Sequence, residues 1–188
     1  MSRWKDKRRR STSVGLRPYR KLDSAPLRGR FLFTSAAIAA AEQLLPTYRG
    51  RDGDHEGIAF LLGREFPSVT IFTTALAPTA EHSAGSVFCD PAAISAAQTA
   101  ARGYGLGLLA QVHSHPGYLT EHSEGDDDLV LMPFEGMLSL VVPHYGHFGM
   151  TPLSGLGVHQ YQDGRWVAVN TASVDEGFGV LPEKIDLR

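Results

Sequence analysis

Two histidines, a serine and an aspartate inside a fourteen-residue window carry the reactive chemistry of this chain: His113, His115, Ser123 and Asp126. The apolar run over residues 108–112 reads as a buried strand that delivers His113-Ser114-His115 at its end. Side chains alternate along a strand, so the two imidazoles share one face with Cα atoms about 6–7 Å apart, a bite suited to one metal ion. Pro116-Gly117 then turns the chain. Ser123 and Asp126 lie one helical turn apart if a helix begins there. Two nitrogens and one carboxylate oxygen suit zinc and leave a fourth position open to water. Ser-x-x-acid is also a capping-box variant; the two roles are compatible, because a cap fixes the turn that aims Asp126.

The spacing His-x-His, seven residues, Ser-x-x-Asp resembles the signature of the JAMM (MPN-plus, or JAB) metalloproteases. Four fixed residues at fixed spacing arise by chance in roughly one chain in several thousand of this length. That family carries an upstream glutamate on a strand. Here Glu56-Gly57-Ile58-Ala59-Phe60-Leu61-Leu62-Gly63 places Glu56 seven residues before Gly63, with the internal glycine at the second position instead of the fourth. The resemblance covers about residues 30–170. It implies one Zn²⁺ per chain on His113, His115 and Asp126, with Glu56 as general base toward the water at the metal. Ser123 would donate to the developing oxyanion. The implied activity is that of a zinc metalloprotease, an isopeptidase cleaving after the C-terminal glycine of a ubiquitin-like protein.

The stretches 77–90 and 144–157 are too short for long family insertions, which resembles the small prokaryotic JAB proteins found beside ubiquitin-like conjugation enzymes, including antiphage systems. The implied partners are a ubiquitin-like protein or its conjugates, together with E1/E2-like proteins. Processing of a sulfur-carrier protein is the neighbouring activity, and a catalytically silent MPN-type scaffold is the reading from another class.

The elements that must position these residues follow from the patterning. Residues 29–33 read as a short strand, and Thr34 or Ser35 can cap an Ala-rich helix that Pro46 stops. Residues 58–62 read as a central strand and 69–76, rich in β-branched residues, as the next. Residues 77–90 are expected to be a loop before Asp90-Pro91 opens a second Ala-rich helix to about residue 101. After the histidine strand, residues 129–132 are expected to finish a short helix that Pro133 ends, and 137–142 to form a strand. A hairpin with Asp163-Gly164 in its turn is expected over 158–169. Residues 170–188 show no periodicity. The expected class is α/β (α+β). The resemblance specifies it as a JAMM/MPN-like mixed β-sheet flanked by helices, in a cytidine-deaminase-like three-layer arrangement.

At 188 residues with 43% apolar content the chain is expected to form one main domain. The expected organisation is a basic, flexible arm over 1–29, a catalytic domain over 30–170 and a C-terminal extension over 171–188. Residues 1–30 hold 11 Lys/Arg against two acids, a net +9, whereas residues 31–188 hold 7 against 18, a net −11. Such an arm reads as solvated or folded back on its acidic domain, and it leaves a nucleic-acid partner open. The single cysteine excludes an intramolecular disulfide, and no apolar run is long enough for a membrane span, so a cytoplasmic location is expected.

Weaker patterns fall away. His55-Glu56 lacks the second histidine of a zincin helix. Gly105-x-Gly107-x-x-Ala110 precedes a strand where a dinucleotide fingerprint needs a helix. Cys89 reads as a small buried apolar residue. His122, His144, His147 and His159 read as surface or core histidines, and Tyr118 as a residue that could shape the cleft.

Overall fold

The computed structural model describes residues 19, 21–123, 125–126 and 133–184; the short helix expected over 129–132 lies outside them, as does most of the expected arm. In chain order the strands are β1 (Ser24–Ala25), β2 (Phe31–Thr34), β3 (Arg49–Gly50), β4 (Gly53–Asp54), β5 (Ile58–Phe66), β6 (Val69–Leu76), β7 (Glu81–Ser83), β8 (Ser86–Phe88), β9 (Gly107–Ser114), β10 (Leu138–Val142), β11 (Gly157–Gln162), β12 (Arg165–Val169) and β13 (Phe178–Leu181). The helices are α1 (Ser35–Leu44), α2 (Pro91–Gly103) and α3 (Thr171–Gly177).

Local chemistry explains the helix starts. Thr34 Oγ1 accepts from the Ala37 amide at 3.1 Å, and Asp90 Oδ1 accepts from the Ala93 amide at 2.7 Å with Pro91 in the first turn. Asn170 caps α3 in the same way through the Ser173 amide. The β11–β12 hairpin turns on Asp163 and Gly164, both at positive φ (52° and 79°), the turn geometry that Asp-Gly tolerates.

One mixed sheet of nine strands runs in the order β1-β12-β11-β10-β9-β5-β6-β2-β13. Its centre places β9 antiparallel to β5 and parallel to β10. Apolar layers cover both faces. On one, Phe33, Phe72, Leu61, Val112 and Leu140 pack with Ala37, Ile38 and Ala41 of α1 and Val174 of α3. On the other, Ile58, Phe60, Leu62 and Leu108 pack with Ala97 and Ala101 of α2 and with Trp166. This is the expected mixed sheet between helical layers.

A register slip decides which residues share the α2 face. Leu61 pairs with Ala110 but Leu62 pairs with Leu108, so Leu109 is an extra residue on β9. Leu108 and His113 differ in parity, yet the bulge puts them on the same face, beside Leu62 and Ile58 respectively. Strand β9 therefore reverses its alternation before it reaches the histidines.

Three expectations change. The stretch 77–90 is not simply a loop, because β7 and β8 form a small antiparallel ribbon. Order begins ahead of residue 30: β1 lies parallel to β12, and the buried Gln160 and Gln162 hold the Arg28 and Pro26 carbonyls. The stretch 171–188, which has no sequence periodicity, contributes α3 and the edge strand β13 against β2. Both termini of the expected catalytic domain are thus stitched to the sheet by backbone pairing, which hydrophobic patterning does not reveal. Among the described residues, no helix is long and apolar enough to cross a membrane.

Candidate metal centre

At the end of β9 the side chains of His113, His115 and Asp126 converge, with ligand atoms all within 4.8 Å of one another. They are 3%, 1% and 3% exposed. Asp126 Oδ2 lies 3.5 Å from His113 Nε2 and 3.2 Å from His115 Nε2. A tetrahedral zinc with ligands at about 2.0–2.1 Å has ligand–ligand edges of about 3.3 Å, so the spacing fits. His113 Nε2 is buried and has no hydrogen-bond partner among the described residues, an arrangement that isolates a nitrogen lone pair for a ligand. Asp127 and Asp128, the competing carboxylates, lie outside the described residues.

Electrostatics suit the same set. Burial pulls the Asp126 carboxyl upward, but the His113 and His115 rings outweigh it and hold the group well below the usual carboxylate range. Burial also lowers the His115 pKa, which favours the neutral, ligating imidazole.

Ser123 fixes the aspartate. Its amide donates to Asp126 Oδ2 at 2.6 Å, and its Oγ accepts from the Gly125 amide at 3.2 Å. The capping and ligand-aiming roles of Ser-x-x-Asp therefore coexist.

Glu56 sits two residues before β5 and is 5% exposed. Ile58 pairs with His113, so the same antiparallel register carried outward sets Glu56 opposite His115, on the histidine face. Three bonds lock that position. The Ser114 amide donates to the Gly57 carbonyl and the Gly57 amide to Ser114 Oγ, both at 2.9 Å; the Glu56 amide donates to the Ser83 carbonyl of β7 at 2.9 Å. The displaced glycine of the glutamate motif has a physical reason. A Cβ at Gly57 would lie 2.7 Å from both the Leu45 carbonyl oxygen and Tyr48 Cδ2.

Two residues at the centre, Gln111 and Ser139, were not singled out by sequence. On the α2 face, Gln111 pairs with Ser139 and Ser139 with His159, forming a buried polar row beneath His113. Gln111 Nε2 donates to Ser139 Oγ at 2.7 Å, leaving the serine proton for His122 Nε2 at 2.9 Å. The His122 ring packs 3.9 Å from that of His159 and 5.9 Å from that of His113. Burial, and then the neighbouring His122 and His113, lower the His159 pKa to about 2. These are core histidines, as expected. For Gln111, Ser139 and His159 the alternation with apolar neighbours along their strands carries that signal.

His144 and Tyr145 occupy the left-handed region (φ 55° and 54°), a conformation costing about 1–3 kcal/mol per residue outside glycine. They are tied to the site: the Tyr145 amide donates to the His115 carbonyl, and the Tyr145 hydroxyl donates to the Ala84 carbonyl at 2.8 Å. Tyr118 is 87% exposed and edges onto His144 at the rim. His147 pairs with Asp54, and His55 turns to Asp52 and His82, so neither reaches the ligand cluster. Burial pushes the Cys89 thiol up to about 12, consistent with a packing role.

No curated protein matches the chain. Among solved structures, the solution structure of protein DSY2949 from Desulfitobacterium hafniense is similar, with a TM-score of 0.58 and 14% identity, over 81% of this chain and 94% of that one. At that identity the likeness speaks for the fold alone, and the mixed α/β architecture agrees with a JAB/MPN-like fold. The model of the prokaryotic homologs of the JAB domain matches residues 40–151, a span that contains Glu56 and all three clustered ligands. With that match over more than half its length, the chain belongs to the prokaryotic JAB-domain homologs.

Proposed function

We propose that this protein is a zinc-dependent peptidase that cleaves after the C-terminal glycine of a ubiquitin-like protein, either releasing a conjugate or trimming a precursor. The observation that carries the reading is the convergence of two imidazoles and a carboxylate, buried, at zinc spacing, with Glu56 on the same face by register. Zinc held there supplies Lewis acidity toward a carbonyl and acidifies water.

The chain's own groups account for the remaining steps. The Glu56 carboxylate accepts the proton of the attacking water and returns it to the leaving amine. Ser123 Oγ already accepts an amide proton from Gly125, so its own O–H is free to donate to the carbonyl oxygen as negative charge develops there. Asp126 stays anionic beside the His113 and His115 rings, and the Ser123 amide keeps its Oδ2 aimed. A glycine-terminated tail suits a site this enclosed, since glycine adds no side chain where the backbone must approach closely.

The test is incubation of the purified protein with ubiquitin-like proteins bearing a C-terminal extension beyond a diglycine, followed by mass spectrometry. The expected product is a chain ending at the glycine, lost with a zinc chelator and regained with added Zn²⁺. A protein that binds one equivalent of zinc and leaves every such fusion intact would overturn the peptidase reading.

A further inference from the structure

Tyr19 belongs to the basic stretch read as solvated or folded back on its acidic domain, and it lies against the metal centre. Its backbone forms an antiparallel bridge with Ser123, and its ring meets the His115 ring edge-on at 5.8 Å.

Just downstream the chain is anchored. Leu22 packs on the cluster that contains Trp166, the Asp23 carbonyl accepts from the Ala168 amide at 2.9 Å, and Asp23 pairs with Arg165. Ser24–Ala25 then runs parallel to Ala168–Val169. On the Tyr19 side of that anchor, the contacts among the described residues include a backbone bridge and a ring edge. The bridge uses the backbone of Ser123, the residue whose side chain faces the reacting carbonyl in the proposed reaction. An extended peptide reaching that carbonyl would pair with the same edge.

We infer that the segment at Tyr19 is an inhibitory strap: it closes the mouth of the metal centre and holds the edge at Ser123 that an extended substrate must take. The substrate half of this statement rests on the proposed peptidase reading; the closure half rests on contacts alone. A strap anchored at Leu22–Ala25, with Tyr19 meeting the site through a bridge and a ring edge, is displaced without unfolding the sheet.

The test uses the full-length chain as wild type, Tyr19→Ala and Tyr19→Phe. The first readout needs neither metal nor substrate: the rate at which diethyl pyrocarbonate modifies His115 in chelator-treated protein, resolved by mass spectrometry. Loss of an aromatic edge contact should speed labelling by roughly threefold to tenfold in Tyr19→Ala, with Tyr19→Phe close to wild type. The second readout, on zinc-loaded protein with a diglycine-extension fusion, is a KM lowered by a similar factor in Tyr19→Ala. Equal labelling rates overturn the strap whether or not the protein cleaves anything. Faster labelling with reduced turnover overturns the inhibitory role and assigns Tyr19 to the working site. Faster labelling in a chain that cleaves no fusion refutes the peptidase reading while the closure stands.

Discussion

Acid should loosen this fold through His159, and the size of the effect follows from its position. The ring is buried between His122 and the sheet, with a pKa near 2 in the folded protein against about 6.5 in an unfolded chain. Below pH 6.5 the unfolded chain binds a proton here that the native protein refuses, so stability falls as pH falls. At pH 5 the difference amounts to about 2 kcal/mol, a figure that depends only on the native pKa lying well under 5. For a domain of this length that corresponds to roughly 4–8 °C in Tm. The assay is thermal or urea unfolding of metal-free wild type and His159→Gln between pH 8 and pH 5. The substitution removes one proton from the linkage, so the variant's deficit at pH 8 should shrink by about 2 kcal/mol at pH 5. Parallel stability–pH curves for the two proteins would refute the burial argument for this histidine.

Three further outcomes follow from the site. Glu56→Gln keeps the side-chain volume and removes no ligand, so zinc content by elemental analysis should stay at wild-type level while turnover falls about 10²–10⁴-fold; loss of zinc would show that Glu56 is a ligand instead. Asp126→Asn or His113→Ala takes away one of the three clustered ligand atoms, and both zinc content and cleavage should drop together; full zinc occupancy in either variant contradicts the assignment. Gly57→Ala forces a Cβ against the Leu45 carbonyl and Tyr48, which should cost about 1–3 kcal/mol in urea unfolding, and a variant as stable as wild type would show that the close approach relaxes freely.

Much of the molecule was legible along the chain because the relevant signals are local. Continuous apolar runs mark β5 and β10 and β-branching marks β6; Thr34, Asp90-Pro91 and Asp163-Gly164 mark helix starts and a turn; and the His-x-His pair with Ser-x-x-Asp encodes its own geometry, since strand and helix periods fix which side chains share a face. Other features depended on partners far away in sequence. Residue 109 becomes a bulge only because Leu62 pairs with Leu108, and β1 and β13 exist only because β12 and β2 offer them edges. Gly57 is needed only where Leu45 and Tyr48 pass beside it. Tyr19 illustrates the limit best: nothing in a basic, turn-rich stretch signals a ring on His115, because that contact is created by a backbone bridge to Ser123, more than a hundred residues along the chain. Residue types and short spacings therefore specified which chemistry is available, while long-range pairing, whose energy lies in backbone hydrogen bonds common to every sequence, determined what encloses it.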